Sequence, residues 1–168
     1  MRITRPTLLL ACVLLGATHL VGAGQAKYSA RVNTVQPAAL AKARTYQWTT
    51  SLPAFDKKAD GLIVAAVDRQ LSMRGLTKVA SGGSDLVITY ASATRTDVDV
   101  KAKPSQSGSL PEFSVGMLMV EMREAAKNQT LFRARVNAPI EAAPAALEAT
   151  INAAVAALFE KYPTPSKK

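Results

Sequence analysis

Asp85 to Pro104 reads DLVITYASATRTDVDVKAKP. Leu86, Ile88, Tyr90, Ser92, Thr94, Thr96, Val98 and Val100 occupy one side of this run. Val87, Thr89, Ala91, Ala93, Arg95, Asp97, Asp99 and Lys101 occupy the other. Strand side chains alternate between two faces, so this is a long strand. Its first half is apolar on both sides and predicts a central position. Its second half alternates apolar with charged and predicts one wet face.

The flanking segments extend the sheet in both directions. FSVGMLMVEMRE (113–124) and TLFRARVNAPI (130–140) are separated by AAKNQ, short enough for a hairpin. In the second of these, Phe132, Ala134 and Val136 face one way and Arg133 and Arg135 the other. Upstream, KYSARVNTV (27–35) and RTYQWTT (44–50) alternate or carry β-branched and aromatic residues, and LTKVA (76–80) is a short strand. Pro37 to Leu40 is a connector or one helical turn, Pro53 ends the second strand, and Ser81-Gly82-Gly83-Ser84 is a turn.

Two segments have the helical period instead. Leu62, Ile63, Ala66, Val67 and Leu71 form one stripe, with Asp60 as the expected N-cap and Gly75 as the stop. Leu147, Ile151, Val155, Leu158 and Tyr162 form another, beginning near Pro144 and closed by Pro163. The expected architecture is α+β: an antiparallel sheet of about five to six strands with two helices packed on one face.

The first 26 residues stand apart from this pattern. MRITRPTLLLACVLLGATHLVGAGQA has Arg2 and Arg5, an apolar run from Leu8 to Val21, and small residues up to Ala26. These are the parts of a secretory signal peptide. The run is shorter and more broken than the ~20 apolar residues of a membrane span. The expected organisation is a signal peptide over 1–26, one domain over 27–162 and a disordered tail over 163–168. Cys12 follows Leu9-Leu10-Ala11 as in a lipobox, but the apolar run continues past it, and lipidation at Cys12 is the lesser alternative.

Cys12 and His19 are the chain's one cysteine and one histidine, and both fall in this leader. A mature chain from Lys27 has neither. That removes disulfides, thiol nucleophiles, Ser-His-Asp triads and histidine zinc sites. No catalytic, cofactor-binding or metal-binding set is expected. Asp97 and Asp99 lack the further oxygen ligands calcium takes and fit a surface ion-pair ladder better.

The whole chain has a net charge of +9. Without Arg2 and Arg5, 19 basic residues stand against 12 acidic ones, a net charge of +7. A basic exported protein favours anionic surfaces such as phospholipid headgroups or envelope polymers. The candidate anion-binding residues are Arg123, Arg133 and Arg135, whose guanidinium groups would meet if their strands adjoin; the alternative, which ordinary surface pairing favours, is a solvated sheet face paired with Glu121 or Asp97. Tyr46 and Trp48 share a face and either stack on a sugar or anchor the core. Few aromatics and no nucleic-acid motif argue against nucleic acid.

Four motifs carry a resemblance: Thr45-Tyr46-Gln47-Trp48, Arg74-Gly75-Leu76, Asp85-Leu86-Val87-Ile88-Thr89-Tyr90 and the closing Tyr162-Pro163. In this order the chain resembles the lipoprotein-like bacterial envelope family called domain of unknown function 4136. The resemblance implies an α+β fold and the periplasm or the periplasmic face of the outer membrane. It implies no activity and no catalytic residues. The expected function is therefore a non-enzymatic binding or structural module with an unknown envelope partner, anionic lipid or polymer among the candidates. The mature form would have no transmembrane span. A carrier of an apolar small molecule and a histidine-free Ser/Lys hydrolase are the alternatives.

Overall fold

A computed structural model of the chain describes residues 28–52, 54, 56–138 and 145–163. The leader, the start of the last element at Pro144 and the tail after Pro163 lie outside the described residues.

The elements in chain order are β1 (Ala30–Thr34), α1 (Pro37–Lys42), β2 (Thr45–Trp48), α2 (Lys57–Ser72), β3 (Thr77–Lys78), β4 (Leu86–Val98), β5 (Glu112–Glu124), β6 (Gln129–Asn137) and α3 (Leu147–Phe159). The strands form one six-stranded sheet in the order β1-β6-β5-β4-β2-β3.

The sheet is mixed, which corrects the antiparallel expectation. Strands β4, β5 and β6 are an antiparallel meander, and β1 adds antiparallel to β6. Strand β2 instead pairs parallel to both β3 and β4. The cause is α2: a helix between β2 and β3 carries the chain back to the end where it began, so the next strand runs in the same direction.

Alternation decides which face is covered. Leu86, Ile88 and Tyr90 of β4, Leu118, Val120 and Met122 of β5, and Phe132, Ala134 and Val136 of β6 are all buried. Helix α3 lies over β1, β5 and β6 and packs against α2. Its Leu147, Ile151, Val155, Leu158 and the following Tyr162 are buried as their spacing predicts. Ala154 and Ala157 let it sit close. Leu131 is an extra residue on β6: Met122 pairs with Phe132 but Arg123 pairs with Thr130, so this bulge turns both Leu131 and Phe132 inward. Asn128, at φ 53°, closes the β5–β6 turn, in a conformation asparagine tolerates.

The other face carries no helix. Val87, Thr89 and Ala91 are only half-buried, so the first half of β4 is central in the sheet but not covered on both sides. Beyond Ala93, β4 and β5 continue as a two-stranded ribbon, with Thr94, Arg95, Thr96 and Val98 exposed. Both its faces are wet because neither large helix reaches it, another departure from the alternating pattern.

Three polar nodes fix the helices. The N-cap of α2 is Asp56, not Asp60; its Oδ1 accepts from the Lys58 N–H at 2.7 Å. Asp68, on α2, accepts from the Tyr46 hydroxyl at 2.8 Å and the Trp48 indole N–H at 2.8 Å, and its other oxygen accepts from Lys78 Nζ at 3.0 Å. Burial, then the Asp68 acceptor and its charge, push the Tyr46 hydroxyl well above the usual tyrosine range. Arg74 follows the α2 C-terminus. It donates to the carbonyl of Phe159, the last residue of α3, at 2.8 Å, and its guanidinium lies 5.2 Å from the Phe159 ring and 5.6 Å from the Tyr162 ring. A cation there joins the Tyr162 N–H, at 3.1 Å, on a terminal carbonyl that has no partner within the helix. Burial lowers the Arg74 pKa and pushes the Tyr162 hydroxyl up to about 12, against the opposing effect of Arg74.

Two stability measurements follow. Leu158→Ala should cost about 2–5 kcal/mol in urea denaturation, the range for a fully buried large-to-small change. A loss below about 0.5 kcal/mol would make α3 peripheral. Asp68→Ala strands the indole N–H and the phenol, at about 1–3 kcal/mol for a buried donor. Lys78→Ala removes only an exposed ion pair and should cost about 1 kcal/mol or less. Equal losses in these two variants would remove Asp68 from its structural role.

Candidate functional site: the open sheet face

The side chains that alternate away from the helices lie on the uncovered face. On β1 these are Arg31 and Asn33, on β6 Arg133, Arg135 and Asn137, and on β5 Phe113, Val115, Met117, Met119, Glu121 and Arg123. Strand β4 contributes Val87, Thr89, Ala91, Ala93, Arg95 and Asp97.

The pairing register arranges them in rows across the strands. Arg31 stands opposite Arg135, Arg135 opposite Met119, Met119 opposite Ala91, and Ala91 is bridged to Leu52. In the next row Asn33 stands opposite Arg133, Arg133 opposite Glu121, and Glu121 opposite Thr89. Arg123 sits past the bulge, opposite Thr130 and Val87.

The three candidate arginines therefore share a face but do not form one cluster, because Glu121 stands among them. Arg133 donates to Glu121 Oε2 from Nε at 3.1 Å and from Nη2 at 2.9 Å, and Thr130 donates to Oε1 at 2.7 Å. Burial by itself would raise the Glu121 carboxyl. The Thr130 and Arg133 hydrogen bonds and the charges of Arg133 and Arg123 outweigh it and hold the group below the usual carboxylate range. Arg123 is half-buried, and its Nε has no hydrogen-bond partner among the described residues.

Arg135 differs. Its cross-strand neighbour is another exposed arginine, Arg31, and neither side chain has an ion pair or hydrogen bond among the described residues. Sequence reasoning missed Arg31. Its alternation with Val32 puts it on a strand face, but only the β1–β6 pairing places it beside Arg135. Two shallow depressions meet at Arg135. One, of about 380 Å³, lies among Arg31, Asn33, Met119 and Arg133; the other, of about 130 Å³, lies among Ala93, Arg95, Met117 and Asn137.

Near α1, several polar groups are already engaged. A depression of about 310 Å³ near α1 is bordered by Lys42, Ser84, Asp85 and Glu124. There Asp85 Oδ2 accepts from the Arg44 N–H at 2.8 Å, the Thr45 N–H at 2.9 Å and the Thr45 hydroxyl at 3.1 Å. The two backbone N–H groups lead in pulling the Asp85 carboxyl below its ordinary value. Ser84 donates to the Leu86 carbonyl, and Glu124 accepts from Lys127. Asp97 accepts from Arg95 at 2.9 Å, as the ion-pair reading of that strand expects. Tyr46 and Trp48 anchor the core through Asp68, and Trp48 meets Tyr90 edge-to-face at 6.0 Å. No described helix is long and apolar enough to cross a membrane.

The comparisons with known proteins agree with this architecture. The PelC dodecamer from Paraburkholderia phytofirmans aligns with a TM-score of 0.55 at 9% identity, over 83% of this chain and 99% of that one. A point variant of the same PelC gives a TM-score of 0.55 at 11% identity, over 82% and 98%. A PDZ domain protein from Parabacteroides distasonis gives 0.54 at 13% identity over 84% of this chain; the match spans 36% of that protein. At such identities the likeness is one of fold. No curated protein matches the chain. The family model for Domain of unknown function (DUF4136) matches residues 30–164, and the chain belongs to that family.

Proposed function

We propose that this chain is an exported, non-enzymatic module of the bacterial envelope, and that it holds anionic groups of an envelope component on its open sheet face. The observation that carries the reading is the Arg31–Arg135 pair. Like charges directly opposite on neighbouring strands are destabilising, and here no carboxylate among the described residues relieves them. An anion seated between two guanidinium forks would do so, with directed hydrogen bonds as well as charge. Export rests on the leader pattern of Met1–Ala26.

The two alternatives have less support. A carrier of an apolar molecule needs room between sheet and helices, and that space is filled by Leu118, Val120, Met122, Phe132, Ile151, Val155 and Leu158. A Ser/Lys hydrolase needs a lysine beside a serine hydroxyl. The lysines whose ammonium groups make hydrogen bonds, Lys78 and Lys127, face carboxylates.

In the double variant Arg31→Ala/Arg135→Ala, binding to a soluble polyanion such as polyphosphate at low salt should drop. The steepness of its decline with added salt should flatten, because fewer screened contacts remain. Arg133→Ala should lose less, since Glu121 already neutralises that side chain. The double variant should melt no lower than the wild type. Unchanged binding and unchanged salt dependence would leave the arginines as a solvated face.

Glu121→Gln should raise polyanion binding at neutral pH by releasing Arg133. Its stability signature has a definite sign. A carboxyl held below its unfolded value stabilises the fold above the ordinary glutamate pKa of about 4.3, and that contribution is lost as pH falls through the depressed value. The stability gap between wild type and Glu121→Gln in urea should therefore stay constant from neutral pH to about pH 5 and narrow below the ordinary glutamate value. A gap that narrows already above about pH 6 would contradict the ion pair.

A further inference from the structure

We infer that the anionic component recognised by the open face is a lipid bilayer surface, on which the sheet lies flat. This rests on the reading of Arg31 and Arg135 as an anion site and adds a second set of residues to it. The row through that pair does not stay basic. It runs Arg31, Arg135, Met119, Ala91, Leu52, from charge to apolar in five adjacent positions. At about 4.8 Å between strands, the row spans about 19 Å.

The direction along β5 is apolar as well. Phe113, Val115, Met117 and Met119 follow one another on the same face, a run of about 20 Å. Leu52 is 71% exposed and Phe113 49% exposed. These two large apolar side chains stand in water at the far ends of the row and the run. Among the strand residues of this face, Arg31, Arg95, Arg123, Arg133 and Arg135 outnumber the carboxylates Glu121 and Asp97.

The partner that matches this layout presents negative groups beside an apolar phase over tens of ångströms. A bilayer interface does so: headgroup phosphates meet the arginines while Leu52, Phe113 and the methionine stems reach the acyl boundary. A soluble polyanion offers the charge without the apolar phase, and leaves Leu52 and Phe113 as exposed as before. Methionine suits such a surface because its unbranched thioether adapts to a disordered partner.

The test separates charge from insertion. The purified protein is mixed with phosphatidylglycerol-containing vesicles, with phosphatidylcholine vesicles and with polyphosphate, at low and high salt. The variants are Arg31→Ala/Arg135→Ala and Leu52→Ser/Phe113→Ser, each checked by its melting temperature. Wild type should sediment with the phosphatidylglycerol vesicles and keep part of that binding at high salt. The serine variant should melt like wild type, bind polyphosphate unchanged, and bind the vesicles about tenfold more weakly, as expected when two large apolar contacts are lost. The arginine variant should lose both ligands. Vesicle binding unchanged in the serine variant, or polyphosphate binding without vesicle binding in the wild type, would overturn the bilayer as partner and leave the anion site standing. Undiminished binding of both ligands by the arginine variant would remove the anion site itself.

Discussion

The carboxylate of Asp68 is the contact on which the parallel wing of the sheet depends. It gathers the Tyr46 hydroxyl and the Trp48 indole from β2 and the Lys78 ammonium from β3. A helix crossing from one strand to the next must be held at a fixed height over both, and apolar contact alone permits sliding. A shared carboxylate with three donors does not. With α2 fixed, α3 has a wall to pack on. Arg69 reaches Asn152, and Arg74 reaches past its own helix to close the end of α3. The ring cluster of Phe132, Phe159 and Tyr162, with centroids 5.5–5.9 Å apart, then seals the core beneath that end. The motifs that resemble the family are these same nodes: Thr45 bonds to Asp85, Tyr46 and Trp48 to Asp68, and Arg74 to Phe159.

Placing both large helices on one side leaves the other side of the sheet to the solvent. A wet sheet face normally carries interleaved charges of both signs, and part of this one does: Arg133 with Glu121, Arg95 with Asp97. The Arg31–Arg135 pair breaks that balance at one edge, and Leu52 and Phe113 break it with apolar bulk at others. These imbalances of charge and exposure concentrate on one face, while the covered face and its helices bury an apolar core into which the Tyr90 and Tyr162 hydroxyls also fall. The core and the unpaired charges are thus divided between the two surfaces of the same strands.

Much of this was legible in the sequence, and what was missed has a common cause. The β5–β6 hairpin and the helical stripes of α2 and α3 are local periodicities, and each stands where its period puts it; alternation likewise makes β4 a long strand, but which of its faces is covered depends on where the helices lie. The shared face of Arg133 and Arg135 follows from two-residue spacing alone. The parallel course of β2 was not legible, because strand direction is set by the crossover and not by the strand's own residues. Asp68 sat on the polar side of a helix pattern, with nothing local to tell a node from a solvated acid. Asp60 was the expected cap because it precedes the apolar stripe, whereas Asp56 starts the helix a turn earlier with Lys57 and Lys58 in water. Pairing of the basic face with Glu121 was legible from the β5–β6 hairpin, whereas Arg31 acquires its place beside Arg135 only through register between strands distant in sequence.

That distance has a consequence in folding order. The β4–β5 and β5–β6 hairpins close over residues 99–111 and 125–128, whereas β1 reaches β6 only by closing residues 35–131. By the logarithmic cost of loop closure, the long closure is dearer than the β4–β5 one by about 2 kcal/mol. Strand β1 is also an edge strand of five residues, held along one side only. It therefore docks after the meander has formed and is among the first elements to be released in local opening. Arg31 arrives with it. The basic pair is absent from every partly folded form that lacks β1, so such a form carries the meander but not the paired arginines. The juxtaposition of Arg31 and Arg135 is thus a property of the finished fold.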